Sequence, residues 1–164
     1  MARQTLTITL DHGDVAKLEQ LLQHIESGLQ DMSPMWQAIE MHMIDSLIQN
    51  FESEGRPTPW EPLADWTIQA KGSSAILQDT GALKASINAQ NTEMRPDSLE
   101  LWAGEAHGLF HQYVEMEPSA QFGILNKNRK HPMPMRPFIL FQDEDRDKIE
   151  EIASNYINDL INGG

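Results

Sequence analysis

The stretch Ala75–Ile87 reads AILQDTGALKASI, and it decides the fold because the chain changes its periodicity here. In Asp79-Thr80-Gly81, the Asp side chain can bond the backbone two residues on and Gly supplies a positive φ, which predicts a turn. After the turn the period becomes two within Leu83 to Thr92, where Leu83, Ala85, Ile87 and Ala89 alternate with polar residues. This spacing is typical of a half-buried strand, so Asp79 and Gly81 are expected to shape the entry into a sheet.

A hairpin follows from the residues after this strand. Arg95-Pro96-Asp97-Ser98 predicts the turn, and Leu99 to Ala103 predicts the second strand. We therefore expect an antiparallel β-hairpin or sheet in the region 83–104.

The residues before the turn predict one strand, two helices and a long loop. Thr5 to Leu10 alternate Thr with Leu or Ile, as in a half-buried strand. A first helix follows DHGD, and its predicted buried stripe is Val15, Leu18, Leu21, Leu22, Ile25 and Leu29. Ser33-Pro34 fits the N-cap and first position of a second helix that ends at Gly55. Its stripe is expected to be core: Met35, Trp36, Ile39, Met43, Leu47, Ile48 and Phe51.

The loop is Arg56–Gly81. Three prolines and Gly72-Ser73-Ser74 leave it without the apolar spacing of a helix or a strand. A loop this long in a compact domain is usually functional or disordered, and its two tryptophans, Trp60 and Trp66, argue against disorder. The loop is expected to pack on another surface.

The C-terminal part predicts one more helix, at 142–162. Asp143, Glu144, Asp145 and Asp147 suit the positive end of its dipole. Its predicted buried face is Ile149, Ile152, Ala153, Tyr156, Ile157, Leu160 and Ile161. The prediction is an α+β fold of one domain over residues 1–164: strand and helices at 5–54, the irregular loop at 56–81, the hairpin at 83–104, a basic loop at 126–137 and the last helix.

Composition excludes several classes. A chain of 164 residues with 40% hydrophobic residues can bury one core, and the absence of cysteine excludes disulfides and fits a reducing compartment. The longest apolar run, Phe138 to Phe141, is far too short for a membrane span, so a soluble protein is expected. A net charge of −13 opposes binding to nucleic acid backbones.

One segment departs from the acidic average. Residues 126–137, NKNRKHPMPMRP, hold Lys127, Arg129, Lys130 and Arg136 without an acidic residue. The segment is either a solvated surface loop or a docking segment for the acidic face of a neighbouring copy or another protein, because complementary potentials set the register between subunits.

The sequence offers weak candidates for catalysis. His107 and His111 are four apart and could share a helical face with Glu105 or Glu115 in a metal site, but Gly108 stands where a zincin-type motif needs its base. The Asp143–Asp147 acids could hold magnesium, yet a helix N-terminus explains them. Asp79-Thr80-Gly81 matches the aspartic protease tripeptide without the apolar flanks or the second copy that this chemistry needs. We expect no catalytic residues, metal or cofactor.

Several modest motifs follow one another along the chain: Trp60-Glu61-Pro62-Leu63 with Thr67 and Lys71, Ile76–Ile87, His111-Gln112-Tyr113, and Met135-Arg136-Pro137-Phe138. Their order resembles the phage virion morphogenesis family, the tail-completion and neck proteins of Mu-like and P2-like tailed phages. The resemblance covers roughly residues 35–162. Where the family usually has His-Gln-Phe-Gly, this chain has Tyr113 and Val114, and Gln121-Phe122-Gly123 follows later.

The resemblance implies a non-enzymatic virion component that assembles in the host bacterial cytoplasm. It would complete the tail, or join tail to head at the neck, as a ring of copies. Implied partners are other copies of the chain and the tail tube, tail terminator or head connector proteins.

Residues for these contacts are a hypothesis drawn from the sequence. Trp and Arg are enriched at binding hot spots, which favours Trp60, Trp66, Arg129 and Arg136, with Lys127 and Lys130 beside them. Packing of both tryptophans onto the core is the alternative. Two other functions remain open at this point: a metal-dependent hydrolase using His107 and His111, and an adaptor domain unrelated to virions.

Overall fold

The computed structural model describes residues 12–105, 108–112 and 134–163. Its helices are α1 (His12–Gln30), α2 (Ser33–Glu52), α3 (Asp65–Lys71), α4 (Ala82–Ala85), α5 (Leu109–Gln112) and α6 (Asp143–Asn162). A 3-10 turn at Ala89–Asn91 leads into strands β1 (Thr92–Arg95) and β2 (Ser98–Leu101). Helices at both ends of the chain and a central antiparallel pair of strands confirm the α+β fold class.

The three long helices form the frame of the molecule. The start of α6 lies against the end of α2, where Gln142 Nε2 donates to Asn50 Oδ1 over 3.1 Å. The end of α6 lies against α1, where the Tyr156 hydroxyl donates to the carbonyls of Gly28 and Asp31 at 2.7 and 2.8 Å. Because α6 spans both neighbours, it fixes α1 and α2 relative to each other.

The start of α6 is capped by one acid of the predicted acidic cluster. Asp145 is 0% exposed; its Oδ2 accepts from the backbone N–H of Gln142 at 2.9 Å and its Oδ1 lies 3.0 Å from Nε2 of His42. The Gln142 side chain completes a capping box. The acidic cluster therefore includes a buried structural group as well as solvated charges that suit the helix dipole.

The hairpin is shorter than the sequence predicted. Thr92 pairs with Leu101 and Arg95 with Ser98, so the predicted turn at 95–98 is correct. The predicted first strand, Leu83 to Thr92, is wrong over most of its length, because α4 and the 3-10 turn occupy it. Leu83 and Ile87 are four residues apart and are both buried, a spacing that fits a helical turn as well as a strand.

The predicted irregular loop Arg56–Gly81 contains a helix, α3. Asp65 lies in its first turn and Lys71 in its last turn, and Gly72 ends it with φ +73°. These are ordinary helix boundary signals, which the three prolines of the segment obscured. The second helix also ends earlier than predicted, at Glu52, because Glu54 and Gly55 both have positive φ. At its start, Met32 rather than Ser33 is the N-cap residue.

The core lies between the end of α2, α4 and the segment before α6. The Phe51 ring is at its centre, with ring centroids 5.8 Å from Trp60 and 5.4 Å from Phe138. The buried cluster consists of Leu47, Phe51, Trp60, Ile76, Leu83, Ile87 and Phe138. Residues from the predicted loop therefore complete the core of the helical frame.

The apolar stripe of the first helix is not buried as predicted. No side chain of α1 is buried by the described residues, and Val15, Leu18, Leu22 and Leu29 are exposed. On α6, Leu160 is buried but Ile157 and Ile161 are exposed. Helical periodicity identifies an apolar face correctly but does not tell what covers it.

Three predictions fall partly or wholly outside the described residues: the strand at Thr5–Leu10, the Lys127–Lys130 part of the basic loop, and His107. In the part of the chain that is described, no helix combines the length and hydropathy that a membrane span requires.

Candidate functional site

Three sequence segments that are far apart in the chain meet beside the core. The indole N–H of Trp60 donates to the carbonyl of Pro137 over 3.0 Å, although 77 positions separate the two residues. The backbone N–H of Arg136 donates to the carbonyl of His111 over 2.9 Å. These contacts join the Trp-x-Pro-Leu, His-Gln and Arg-Pro-Phe segments into one unit.

Arg136 holds this unit together from within. The residue is 5% exposed, and its guanidinium donates to the Glu61 carbonyl from Nε at 3.0 Å and Nη2 at 2.8 Å, and to the Pro62 carbonyl at 3.3 Å. Burial lowers the pKa of Arg136 from its ordinary value, and the negative charge of Glu61 opposes that shift. A planar fork of donors suits two neighbouring carbonyls, so Arg136 fixes the Trp-x-Pro-Leu segment.

Gln112 makes the second link. Its Nε2 donates to the carbonyl of Ile139 at 2.6 Å, and its Oε1 accepts from the backbone N–H groups of Phe138 and Ile139, both at 3.1 Å. One side chain thus satisfies three backbone groups of an irregular segment, a task that falls to strand partners in a sheet. The His-Gln and Arg-Pro-Phe segments are therefore held in register by the glutamine.

A cleft of about 440 Å³ opens between α3 and the Asp79-Thr80-Gly81 turn. We call it the motif cleft. Its apolar lining comes from Leu63, Trp66, Leu77 and Leu83, and its polar lining includes Thr67, Asp79 and Thr80. Apolar walls with a few polar groups are typical of sites that receive a partner's side chains.

Trp66 stands at the motif cleft with 69% of its surface exposed. It lies on α3, whose last residue, Lys71, donates through Nζ to the carbonyl of Ala75. This bond and the left-handed Gly72 fix the end of α3 against the next segment. A large, exposed aromatic side chain on a fixed helix is a good anchor for a protein contact.

The Asp79-Thr80-Gly81 turn forms the opposite wall. Gly81 has φ +79°, as the sequence predicted for a turn glycine, and it precedes α4 directly. The bond two residues along is made by Thr80, whose Oγ1 accepts from the backbone N–H of Ala82 at 3.3 Å. The tripeptide is thus a turn and a helix start, and nothing in its geometry requires a reactive aspartate.

Replacing Gly81 with alanine is expected to lower the free energy of unfolding by about 1 kcal/mol, because an L side chain is strained at this φ. A Cβ at this position would meet nothing within 4 Å, so the cost is one of backbone conformation alone. Gly81→Asn is the matched control and should lose less, since asparagine tolerates left-handed conformation. Urea denaturation of the three proteins measures the difference, and equal stability of Gly81→Ala and the parent would contradict it.

Some of the predicted contact residues are buried in the structure and one is exposed. Trp60 is 6% exposed and Arg136 is 5% exposed, so both are part of the packed interior, and we remove them from the set of candidate contact residues. For Trp60, core packing was the stated alternative. Trp66 remains on the surface, and Lys127, Arg129 and Lys130 lie outside the described residues.

The two histidines proposed for a metal site are not both described. His111 lines the motif cleft, whereas His107 is outside the described ranges. Among residues 12–105, 108–112 and 134–163, no three His, Asp or Glu side chains are placed to hold a metal ion.

The comparisons with known proteins cover most of the chain. The model of the phage virion morphogenesis family matches residues 13–158. The "Mu-like prophage FluMu G protein 2" of Haemophilus influenzae is 24% identical over 154 residues, which cover 94% of this chain and 99% of that protein. No solved structure shows a significant match. The family model spans α1 to α6, including the segments that meet at the motif cleft, and the chain therefore belongs to the phage virion morphogenesis family.

Proposed function

We propose that this protein is a structural component of a tailed phage or prophage that completes the tail or joins the tail to the head, acting as a ring of copies and not as an enzyme. Its partners would be other copies of the chain and the tail tube, tail terminator or head connector. Membership of the virion morphogenesis family supports the assembly role. The Haemophilus relative, a Mu-like prophage protein by name, supports a phage or prophage origin.

The observation that carries the proposal is the exposed Trp66 on the motif cleft. The cleft is built on backbone bonds and buried side chains, so its shape is set before a partner arrives, and preorganisation lowers the cost of binding. The exposed tryptophan and the apolar cleft beside it form a contiguous apolar surface, and such surfaces mark sites of protein contact. A subunit that contacts neighbours on a ring or the end of a tail requires such a surface.

Replacing Trp66 with alanine is expected to block assembly while leaving the fold intact. Since the side chain is 69% exposed, the free energy of unfolding should change by less than about 0.5 kcal/mol. Loss of a central tryptophan typically costs about 2 kcal/mol or more of binding free energy, so association should weaken roughly 30-fold. The measurements are urea denaturation and the yield of infectious particles when the variant complements a phage or induced prophage that lacks the gene.

Trp102→Ala is the matched control, because Trp102 is also exposed, at 42%, but lies just after β2 and does not line the motif cleft. It should complement normally. Normal particle yield with Trp66→Ala would remove the motif cleft from the proposal. Complete particles, with joined heads and tails, from a phage that lacks the gene would overturn the assembly role itself.

A further inference from the structure

The exposed stripe on α1 has the spacing of a helix that packs against another chain. Val15, Leu18 and Leu22 are 39%, 48% and 57% exposed, and with Ile25 and Leu29 they follow alternating steps of three and four. That step pattern is the seam of a coiled coil. We call the three residues Val15, Leu18 and Leu22 the α1 seam.

The α1 seam lies at one end of the molecule. The contacts between α1 and α6 show their relative direction. The carbonyls of Asp31 and Gly28 accept from the Tyr156 hydroxyl, Gly28 packs against the Leu160 side chain, and His24 lies near Gly163. The two helices are therefore antiparallel, and α6 ends beside His24. Residues 12–20 of α1 and Leu22 are exposed, which places the α1 seam beyond the last contact with α6.

The part of α1 that extends beyond α6 is short, and a short isolated helix is only marginally stable in water. The three exposed apolar side chains of the α1 seam also have an unfavourable free energy of solvation. Both facts call for a covering partner at this end of the molecule.

Charge identifies the kind of partner. Glu19 and Glu26 are seven residues apart and flank the α1 seam on the side away from α6. Helices α1 and α6 together hold ten of the 25 acidic residues of the chain and three basic residues. A second α1 would bring the same acids together, and like charges beside a seam oppose pairing. The favoured partner is apolar and basic.

The chain itself contains such a segment. Residues 121–131 read QFGILNKNRKH, with Phe122, Ile124 and Leu125 followed by Lys127, Arg129 and Lys130. Its attachment point lies at the opposite end of the molecule: Phe138 and Gln142 both bond to Asn50, at the junction of α2 and the start of α6.

Chain length keeps Arg129 from reaching Leu18 of its own copy. Arg129 lies nine residues before Phe138, which Asn50 ties to the start of α6, so it reaches at most ~32 Å from that junction. The 20 residues of α6 span roughly 30 Å, and Leu18 lies a further ~9 Å along α1 beyond His24. The separation of roughly 40 Å exceeds this reach.

We propose that the α1 seam of one copy binds residues 121–131 of a neighbouring copy, with Glu19 and Glu26 facing the basic side chains. The proposal rests on the proposed function and names the contact from which its ring is built. A surface at one end that binds a different surface at the other end makes a head-to-tail contact, which closes into a ring when the rotation between copies allows it.

Cysteine cross-linking tests this contact directly, because the chain contains no cysteine of its own. Leu18→Cys carrying an affinity tag is mixed with untagged Arg129→Cys, oxidised, and analysed on non-reducing gels and by mass spectrometry. A mixed disulfide in excess over both homodimers is expected. Met41→Cys, at a position 72% exposed on α2, replaces Leu18→Cys in the control mixture and should give no such excess.

Charge variants of the same proteins add a second readout. Glu19→Lys with Glu26→Lys in the first protein should remove the mixed disulfide. Lys127→Glu with Lys130→Glu in the second protein should restore it.

Each other outcome overturns the contact. Predominant Leu18→Cys homodimers would show that two α1 helices pair. In a chain that carries both Leu18→Cys and Arg129→Cys, an internal disulfide would show that the segment covers its own copy. Light scattering on the parent protein separates this test from the proposed function. An oligomeric parent without the mixed disulfide overturns only the contact, whereas a parent that stays monomeric at every concentration and forms no mixed disulfide contradicts self-assembly as well.

Discussion

Asn50→Leu is expected to lower the free energy of unfolding by about 4 kcal/mol, although the two side chains have the same number and branching of heavy atoms. Asn50 is 0% exposed. Its amide donates to the Phe138 carbonyl at 3.0 Å, and its Oδ1 accepts from Arg56 Nε at 3.0 Å and Gln142 Nε2 at 3.1 Å. Leucine would leave these groups without their buried partner, and one of them carries a charge.

The neighbouring residue provides the control. Gln49 also accepts from Arg56, with its Oε1 at 2.9 Å from Nη1, but this bond is exposed to water. Gln49→Leu should therefore cost less than about 1 kcal/mol. Urea denaturation of both variants compares the two sites, and similar losses would mean that the position of Asn50 between α2, α6 and the Phe138 segment has no special importance.

The sequence predicted the frame of the fold well, because its signals are local. Two of the three long helices, α2 and α6, show an apolar stripe and a start signal, and the hairpin turn at 95–98 has turn chemistry. The prediction of the first strand of the hairpin was wrong over most of its length, because alternation over a few residues does not exclude a helical turn. Helix α3 was not predicted. Its boundary residues are ordinary, but the three prolines that precede it in the Arg56–Gly81 segment break the periodicity by which a helix is predicted.

The candidate site was predicted less well, because it depends on contacts between distant segments. Sequence composition treats Trp60 and Trp66 alike, yet Trp60 is 6% and Trp66 is 69% exposed. The difference arises from the tertiary contacts of Trp60, which packs on the Phe51 ring and donates to the carbonyl of Pro137, 77 positions along the chain. Likewise, Arg136 looked like part of a basic surface segment, but two backbone carbonyls bind it in the interior.

These contacts give a structural role to motif residues by which the family resemblance was noticed. Trp60 and Arg136 stabilise the wall on which Trp66 is presented, so their replacement would impair assembly through the fold. Trp66 and the α1 seam are exposed, so we expect their replacement to leave the chain folded. Stability measurements beside each assembly assay are therefore what distinguishes a contact residue from a residue that supports it.

Gly55→Ala is expected to cause the second large loss, about 4 kcal/mol, at a position that sequence analysis treated only as a helix end. Gly55 has φ +112°, which L residues rarely adopt. A Cβ there would lie 2.6 Å from the backbone N of Trp60 and 2.7 Å from the carbonyl oxygen of Thr58. Both atoms belong to the backbone, and the Trp60 N–H is bonded to the Glu54 carbonyl at 2.7 Å, so neither can move freely.

Gly72→Ala separates the two causes of this loss. Gly72 also has a positive φ, +73°, but a Cβ there would meet nothing within 4 Å, so its replacement should cost only about 1 kcal/mol. The excess loss in Gly55→Ala then measures the clash that displaces Trp60 from Phe51. If both variants lose the same stability in urea, the close approach of Trp60 to Gly55 does not hold the Trp-x-Pro-Leu segment in place, and the rigidity that we attribute to the motif cleft must come from Arg136 and Gln112 alone.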